Sequence, residues 1–473
     1  MQKRTPALPF LSFGAGAPAQ APAPAGAPRP QRRWGRSALL ALAAFAGGAA
    51  ASELAHATTE RQNPYHLMEQ LGRVLVAIED EYVDPVDRAR LIEGGIKGMV
   101  AELDPHSSYL PPEDYTIFQG DLEGRFGGVG VEVDFGGDFV TVIAPIEGSP
   151  AHQAGVKSGD RIFAIDNMAV RGRSPAELVR AMRGDPGTKV ILTIRREGVE
   201  QLMTFVLVRR TISVASIASK LLEGNFGYLR IKAFQSGTHA ELLSHVGKLR
   251  KKARGQLAGV VLDLRNNPGG SVDEANAIAD EFLSSGVIFT TRRRGKVIDE
   301  SRADTSGALR RQPTVVLVNE FSASASELVA AALRDNARAR IVGAPTFGKG
   351  SVQMIADLPG GAGLRLTTLR YYTPSGRAIQ AEGVTPDVVV NAAPSDFGIV
   401  REKNLENHLP ASEGALHDAV PPVTEVDRAD AGPKTTDDVD HGVARDVPED
   451  PSKGPDEALK VAHRLLKEAV AAR

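Results

Sequence analysis

The sequence contains no cysteine among its 473 residues. This absence excludes disulfide bonds, thiolate nucleophiles and zinc sites built on cysteine, and it is compatible with an oxidising compartment. The chain also lacks an excess of basic residues, because 56 Lys and Arg are balanced by 58 Asp and Glu. We therefore expect no nucleic-acid partner. The composition, 42% hydrophobic and 24% charged, is typical of globular proteins, and the length indicates two or three domains.

The N-terminal region lacks an apolar run as long as the roughly 20 residues of a membrane-spanning helix. Instead, an uncharged run from Ala38 to Ala51 follows three arginines, Arg32, Arg33 and Arg36, and precedes a small-x-small triplet at 55–57. This order predicts an export signal within residues 1–57. An uncleaved anchor and a disordered Ala-rich tail are the alternatives. We expect an exported protein, periplasmic or membrane-anchored and facing the periplasm.

Hydrophobic periodicity divides the rest of the chain into five parts. They are a helical region (58–124), a β-rich module (125–210), a mixed α/β region (211–393), an acidic disordered linker (394–455) and a C-terminal amphipathic helix (456–473). Strands that alternate with helices predict a sheet covered by helices. The terminal helices could dock on the body of the protein or on a second subunit, which would make a homo-oligomer.

Three loops of the α/β region carry candidate chemistry. The turn "RNNPGG" follows a buried strand and could supply half of an oxyanion hole, a phosphate cradle or a plain strand-to-helix turn. The stretch "FSASASE" also follows a buried strand, and its serines could be exposed for nucleophilic attack or could cap the next helix. Lys349, between two glycines, could be a solvated lysine or a general base whose pKa is lowered by burial. Gln353 could hold its amine by a hydrogen bond.

Together, "LDLRNNPGG", "FSASASELVAAALRDN" and "PTFGKGSVQ" resemble the signatures of the carboxy-terminal processing peptidases, or tail-specific proteases. In that family the serine precedes the lysine by 25 residues and the glutamine by 29. Both spacings lead to Ser324 here, whereas Ser322 and Ser326 fit neither. The resemblance implies that Ser324, Lys349 and Gln353 are catalytic. It also places the oxyanion amides at Gly270 and Ala325.

The β-rich module is similar to a PDZ domain, in which a chain end pairs with an exposed strand while loop amides bind its carboxylate. The motif "GGVGVEV" matches the carboxylate-binding loop, so we expect the peptide-binding residues Gly128, Val129, Gly130, Val131 and Leu178. Partners would be proteins or peptides with apolar C-termini. Some relatives use an arginine of this module as an activation switch, and Arg183 resembles it. A solvated turn arginine is the alternative.

The resemblance implies a multidomain α/β fold. Its core would be a crotonase/Clp-like serine-protease sandwich, with the PDZ domain inserted and helices at the N-terminus. The expected activity is serine endopeptidase cleavage by a Ser–Lys dyad, which needs no metal, cofactor or third acidic residue because the neutral amine is the base. Two alternatives remain: a PDZ scaffold or adaptor with an idle protease core, and an acyl-transfer or CoA-type enzyme on a related architecture.

Overall fold

The computed structural model describes residues 64–135, 139–390, 401–411, 424–425 and 447–472. The chain divides into two compact units, with the boundary between Leu91 and Ile92. The predicted export signal and the greater part of the predicted acidic linker lie outside the described residues.

From residue 64 onward, three helices precede the β-rich module. They are α1 (Pro64–Glu81), α2 (Arg88–Ala101) and α3 (Pro112–Glu123), with strand β1 (Ser108–Leu110) before α3. The first two cover the segments whose apolar periodicity predicts helix. Large apolar side chains of α1 are exposed: Tyr65, Leu67, Met68, Leu71, Val74 and Val76. No helix in the described part of the chain has the length and apolarity that a membrane crossing requires.

The β-rich module has eight strands and two helices within its described residues. They are β2 (Arg125–Gly128), β3 (Val131–Asp134), β4 (Val140–Pro145), α4 (Pro150–Ala154), β5 (Arg161–Ile165), β6 (Met168–Ala169), α5 (Pro175–Met182), β7 (Lys189–Arg195), β8 (Met203–Val208) and β9 (Arg210–Ser213). The main sheet has the order β3-β4-β5-β7-β8, with β6 paired to β5, and β2 forms a ribbon with β9. On β7, alternate residues are fully buried, as in a strand with one face on the core. The predicted capping box of Ser174 and Glu177 begins α5.

Together with β1, β20 (Thr424–Glu425) and the C-terminal helix, the α/β region forms two sheets within the described residues. Its strands are β10 (Ile217–Leu222), β11 (Phe226–Ile231), β12 (Gly259–Asp263), β13 (Val287–Arg293), β14 (Lys296–Arg302), β15 (Thr314–Val318), β16 (Ala339–Gly343), β17 (Ser351–Asp357), β18 (Gly363–Tyr372), β19 (Val388–Val389) and β20 (Thr424–Glu425). Its helices are α6 (Thr238–Lys252), α7 (Val272–Phe282), α8 (Ala325–Asp335) and α9 (Glu457–Ala471). One sheet has the order β10-β11-β12-β15-β16-β19-β20 and is parallel except for β10. The other sheet is antiparallel and has the order β1-β18-β13-β14, and β17 also pairs with β18.

Helices cover both faces of the parallel sheet. Because successive side chains of a strand point to opposite faces, Leu229 and Leu262 pack in the cluster that contains α6, α7 and α8. Tyr228 and Val261, one residue away from them, pack in the cluster that contains Leu459 of α9. The C-terminal helix thus forms the second helical layer of the core, which gives a mixed α/β sandwich.

The fold brings two of the candidate loops to one edge. Strands β12 and β15 are parallel neighbours, so the turns that follow them leave the sheet side by side at its carboxyl edge. The "RNNPGG" turn follows β12, and the serine-rich stretch follows β15. Lys349 lies just before β17 of the antiparallel sheet.

Candidate active site

Ser324 occupies a strained turn between β15 and α8. Its backbone has φ 56° and ψ −115°, in a region that non-glycine residues rarely adopt, at a cost of about 1–3 kcal/mol. A serine on a strained strand-to-helix turn has the geometry of known nucleophile elbows. The side chain of Ser324 is half-buried.

The flanking serines, Ser322 and Ser326, are fully buried and already hydrogen-bonded. Ser322 Oγ donates to the carbonyl of Leu264 at 2.8 Å, and Ser326 Oγ donates to the carbonyl of Asn267 at 2.9 Å. Both acceptors lie just after β12. The two flanking serines therefore connect the Ser324 turn by hydrogen bonds to the segment after β12, which includes the Asn-Pro-Gly-Gly turn. Of the three serines, only Ser324 is left available to a substrate.

The Asn-Pro-Gly-Gly turn lies against Ser324. A Cβ on Gly269, whose φ is 105°, would come within 2.8 Å of Ser324 Cβ, so only glycine fits there. The amides of Gly270 and Ala325 donate no hydrogen bond to any residue that the structure describes. Two amides that no described residue binds, close to a serine hydroxyl, can donate hydrogen bonds to a developing oxyanion. The oxyanion role of Gly270 and Ala325 stays a prediction.

Lys349 is half-buried in a charged surrounding. Burial and the guanidinium of Arg365 lower the pKa of Lys349 to about 8, although the carboxylates of Glu402, Asp104 and Glu327 act in the opposite direction. About a tenth of such lysines would be neutral at pH 7. A lysine in this state can act as a general base near neutral pH.

A buried carboxylate, Glu327, joins the Ser324 turn to residues 346–350, which we call the lysine loop. Its Oε2 accepts from the amides of Ser324 at 2.7 Å and Lys349 at 2.9 Å, and its Oε1 accepts from Gly348 N at 2.7 Å and Thr346 Oγ1 at 2.5 Å. Burial raises the pKa of Glu327 to about 7, against these hydrogen bonds. The sequence patterns did not single out Glu327 as a site residue. Its position three residues after Ser324, the spacing of a capping box, is the signal that could have found it.

We expect Glu327→Gln to weaken both the fold and the site. The new NH₂ group would face N–H or O–H donors that now share a carboxylate oxygen, which costs about 1–3 kcal/mol. Displacing the amides of Ser324 and Lys349 should lower kcat/KM at least about tenfold. Urea unfolding and peptide turnover measure the two effects. Glu320→Gln makes the same substitution in the loop just before α8 and should change neither; equal behaviour of the two variants would contradict the assignment.

Gln353 lies on β17, four residues after Lys349, and its side chain is hydrogen-bonded to other residues. Its Nε2 donates to Ser351 Oγ at 2.9 Å and to Thr367 Oγ1 at 3.3 Å. Thr367 Oγ1 in turn donates to the buried carboxylate of Asp104 at 3.0 Å. Among the described residues, Gln353 makes no hydrogen bond with Lys349. Its role in holding the amine therefore stays a prediction.

The residues predicted to bind a peptide lie around strand β3 of the β-rich module. Gly128 ends β2, Gly130 has φ 72°, and Val131 begins β3. Val129 and Leu178 are buried in the core of the module. Strand β3 is the last strand of its sheet and pairs only with β4 among the described strands. Its other edge has the geometry needed to add a peptide strand.

Arg183 lies at the C-terminal end of α5, next to Gly128. Its guanidinium forms an ion pair with Asp121 of α3 at 2.8 Å and lies 4.4 Å from the centre of the Phe126 ring. A backbone bridge joins Arg183 to Gly128. This arginine thus connects the predicted carboxylate-binding loop to a helix outside the module.

Comparison with known proteins identifies the family. The chain is 39% identical to a carboxy-terminal-processing protease of Bartonella bacilliformis over 413 residues, which cover 87% of this chain and 90% of that protein. The chain belongs to the carboxy-terminal processing proteases. It is a serine-type peptidase with a PDZ domain.

Other matches extend along most of this protease. Residues 225–390 match Peptidase family S41, residues 141–196 match the PDZ domain, and residues 39–114 match the activating protease CtpB N-terminal domain. The carboxy-terminal processing protease CtpA of Bacillus subtilis is 33% identical over 68% of this chain and 68% of its own length. A solved photosystem II D1 C-terminal processing protease is 32% identical, with a TM-score of 0.44 over 66% of this chain and 84% of that chain.

Proposed function

We propose that this protease is an endopeptidase that recognises the C-terminal tails of proteins and cleaves them with a Ser324–Lys349 dyad. The observation that carries the proposal is the shared carboxylate of Glu327, which binds the backbone amides of both residues. One hydrogen-bonded group thereby holds the backbone of the proposed nucleophile beside the backbone of the proposed base. The lowered pKa of Lys349, about 8, supports its role as the base.

In the proposed mechanism, neutral Lys349 accepts the proton of Ser324 Oγ while the oxygen attacks the scissile carbonyl carbon. The carbonyl oxygen becomes an oxyanion and accepts hydrogen bonds from the amides of Gly270 and Ala325. The tetrahedral intermediate then collapses, and Lys349 gives its proton to the leaving amine. Water hydrolyses the ester of Ser324 with Lys349 again as the base, which restores the serine.

The PDZ domain would capture the substrate before cleavage. The free edge of β3 can pair with an extended tail, and the loop from Gly128 to Val131 would bind its terminal carboxylate. Leu178 of α5 would contribute to an apolar pocket for the last side chain. We propose Arg183 as the switch that transmits binding, because its backbone pairs with Gly128 of this loop and its guanidinium forms an ion pair with Asp121 of α3.

We further propose that the protein is exported and that copies associate. Export rests on the predicted signal in residues 1–57. Association rests on the exposed apolar side chains of α1, whose burial against a second copy would be favourable.

Peptide turnover tests the proposed function. A peptide with an apolar C-terminal residue is supplied as the free acid and as the C-terminal amide, and cleavage sites are mapped by mass spectrometry. We expect the amide to lose at least about tenfold in kcat/KM, because the carboxylate contacts are lost. Equal cleavage of the two peptides would contradict tail recognition. Turnover of simple esters without peptide cleavage would favour an acyl-transfer enzyme.

A further inference from the structure

Residues 401–411, which we call the clamp segment, pack on the loop that carries Lys349. Arg401 Nη2 donates to the carbonyl of Thr346 at 2.7 Å, and the amide of Glu402 donates to the carbonyl of Phe347 at 3.1 Å. The clamp segment lies inside the region whose composition predicts a disordered acidic linker. One side chain and one backbone amide of this segment nevertheless bind the residues two and three positions before Lys349.

The side chain of Glu402 is fully buried and hydrogen-bonded at both oxygens. Its Oε2 lies 2.7 Å from His106 Nε2, and its Oε1 accepts from Gln380 Nε2 at 2.6 Å. Gln380 Oε1 accepts from the amide of Gly350 at 3.0 Å. A continuous set of hydrogen bonds therefore runs from His106 through Glu402 and Gln380 to the residue after Lys349.

The lysine loop is consequently held from two sides. Glu327 binds the amide of Lys349, and Gln380, oriented by Glu402, binds the amide of the next residue. The negative charge of Glu402 also acts on the Lys349 ammonium. The other charged groups that act on this ammonium are Arg365, Asp104 and Glu327. His106 also contacts Glu402 directly.

We propose that Glu402 is a positioning residue for Lys349: it fixes the lysine loop through Gln380 and stabilises the ammonium that forms when Lys349 takes the proton of Ser324. This role rests on the proposed Ser324–Lys349 chemistry. This role is similar to that of the buried carboxylate in a catalytic triad, which orients the catalytic base and stabilises its charged form. Here the carboxylate comes from the clamp segment, beyond the last long strand of the core.

Two substitutions separate the electrostatic effect from the structural one. Glu402→Gln keeps the shape and can still accept from Gln380, but it removes the charge. We expect the acid limb of the kcat/KM profile to move to lower pH by about one unit and the plateau rate to fall about tenfold. Glu402→Ala also removes the hydrogen bonds, so we expect a loss of about 100-fold, since a base displaced by about 1 Å costs that much.

Glu406→Gln is the matched control. Glu406 is exposed on the same clamp segment, so the same change of charge there should leave the rate and the pH profile as in the wild type. The assay is peptide cleavage by the full chain from pH 5 to pH 10, with Ser324→Ala as background and circular dichroism to verify folding.

The outcomes distinguish the positioning role of Glu402 from the proposed Ser324–Lys349 chemistry. A shifted acid limb in Glu402→Gln, absent from Glu406→Gln, supports the positioning role. A wild-type pH profile in Glu402→Gln overturns that role, even if the rate falls, and leaves the proposed function intact. Absence of Ser324-dependent cleavage by the wild type overturns the proposed function and the role of Glu402 together.

Discussion

Ser324→Ala should lower peptide cleavage by at least about 10,000-fold, to a level near the background rate. Loss of a serine nucleophile leaves only the catalysis that comes from the oxyanion amides and substrate binding. The free energy of unfolding should change by less than about 1 kcal/mol, because the half-buried Ser324 side chain fills little of the core. Single-turnover cleavage and urea unfolding measure the two quantities.

Ser322→Ala is the informative comparison, because we expect it to lower stability and to retain cleavage, the reverse of Ser324→Ala. Its hydroxyl donates to Leu264 O and accepts from the amide of Asn319, so its loss leaves two buried groups unpaired. We expect about 1–3 kcal/mol less stability, with cleavage retained below the melting temperature. Retained activity in Ser324→Ala would contradict its assignment as the nucleophile.

Lys349→Met should abolish cleavage to a similar extent while it stabilises the fold. Methionine has a similar length but cannot accept the proton of Ser324. In the wild type, burial disfavours the charged amine, and the pKa of Lys349 falls from 10.5 to about 8. The folded state therefore carries a penalty below pH 8, of about 1–3 kcal/mol, and loses it as pH rises from 8 to 10.5.

The stability gain of Lys349→Met should accordingly be full at pH 7 and small near pH 10.5. Urea unfolding at several pH values tests this dependence. Lys403→Met, at an exposed lysine of the clamp segment, should change neither stability nor cleavage. A destabilised Lys349→Met protein would show that the lysine is structural rather than a strained base.

Much of this architecture could be predicted from local patterns. Alternating burial on β7 and the capping box of Ser174 and Glu177 both follow from residues that are near in sequence. The family was also predicted correctly, because the 25-residue spacing between Ser324 and Lys349 can be counted directly in the sequence. The count of residues between two loops needs no knowledge of how the chain folds.

The buried acids of the site could not be predicted in this way. Glu327 resembles an ordinary helix-capping residue in sequence, and only its burial and its hydrogen bonds to Gly348 and Lys349 distinguish it. Glu402 lies in a polar, acidic stretch whose composition predicts disorder. Its packing depends on His106, which is 296 residues away in sequence.

The sequence by itself determined the family and which residues we propose for the chemistry: Ser324, Lys349 and the glycines of the turn after β12. The tertiary structure decided how they are held. Burial of a carboxylate costs free energy unless distant groups supply its hydrogen bonds, and those groups come together only when the parallel sheet, the lysine loop and the clamp segment have packed. Local sequence patterns predict the conformation of a segment, whereas the pKa of Lys349 depends on the charges that the fold brings near it.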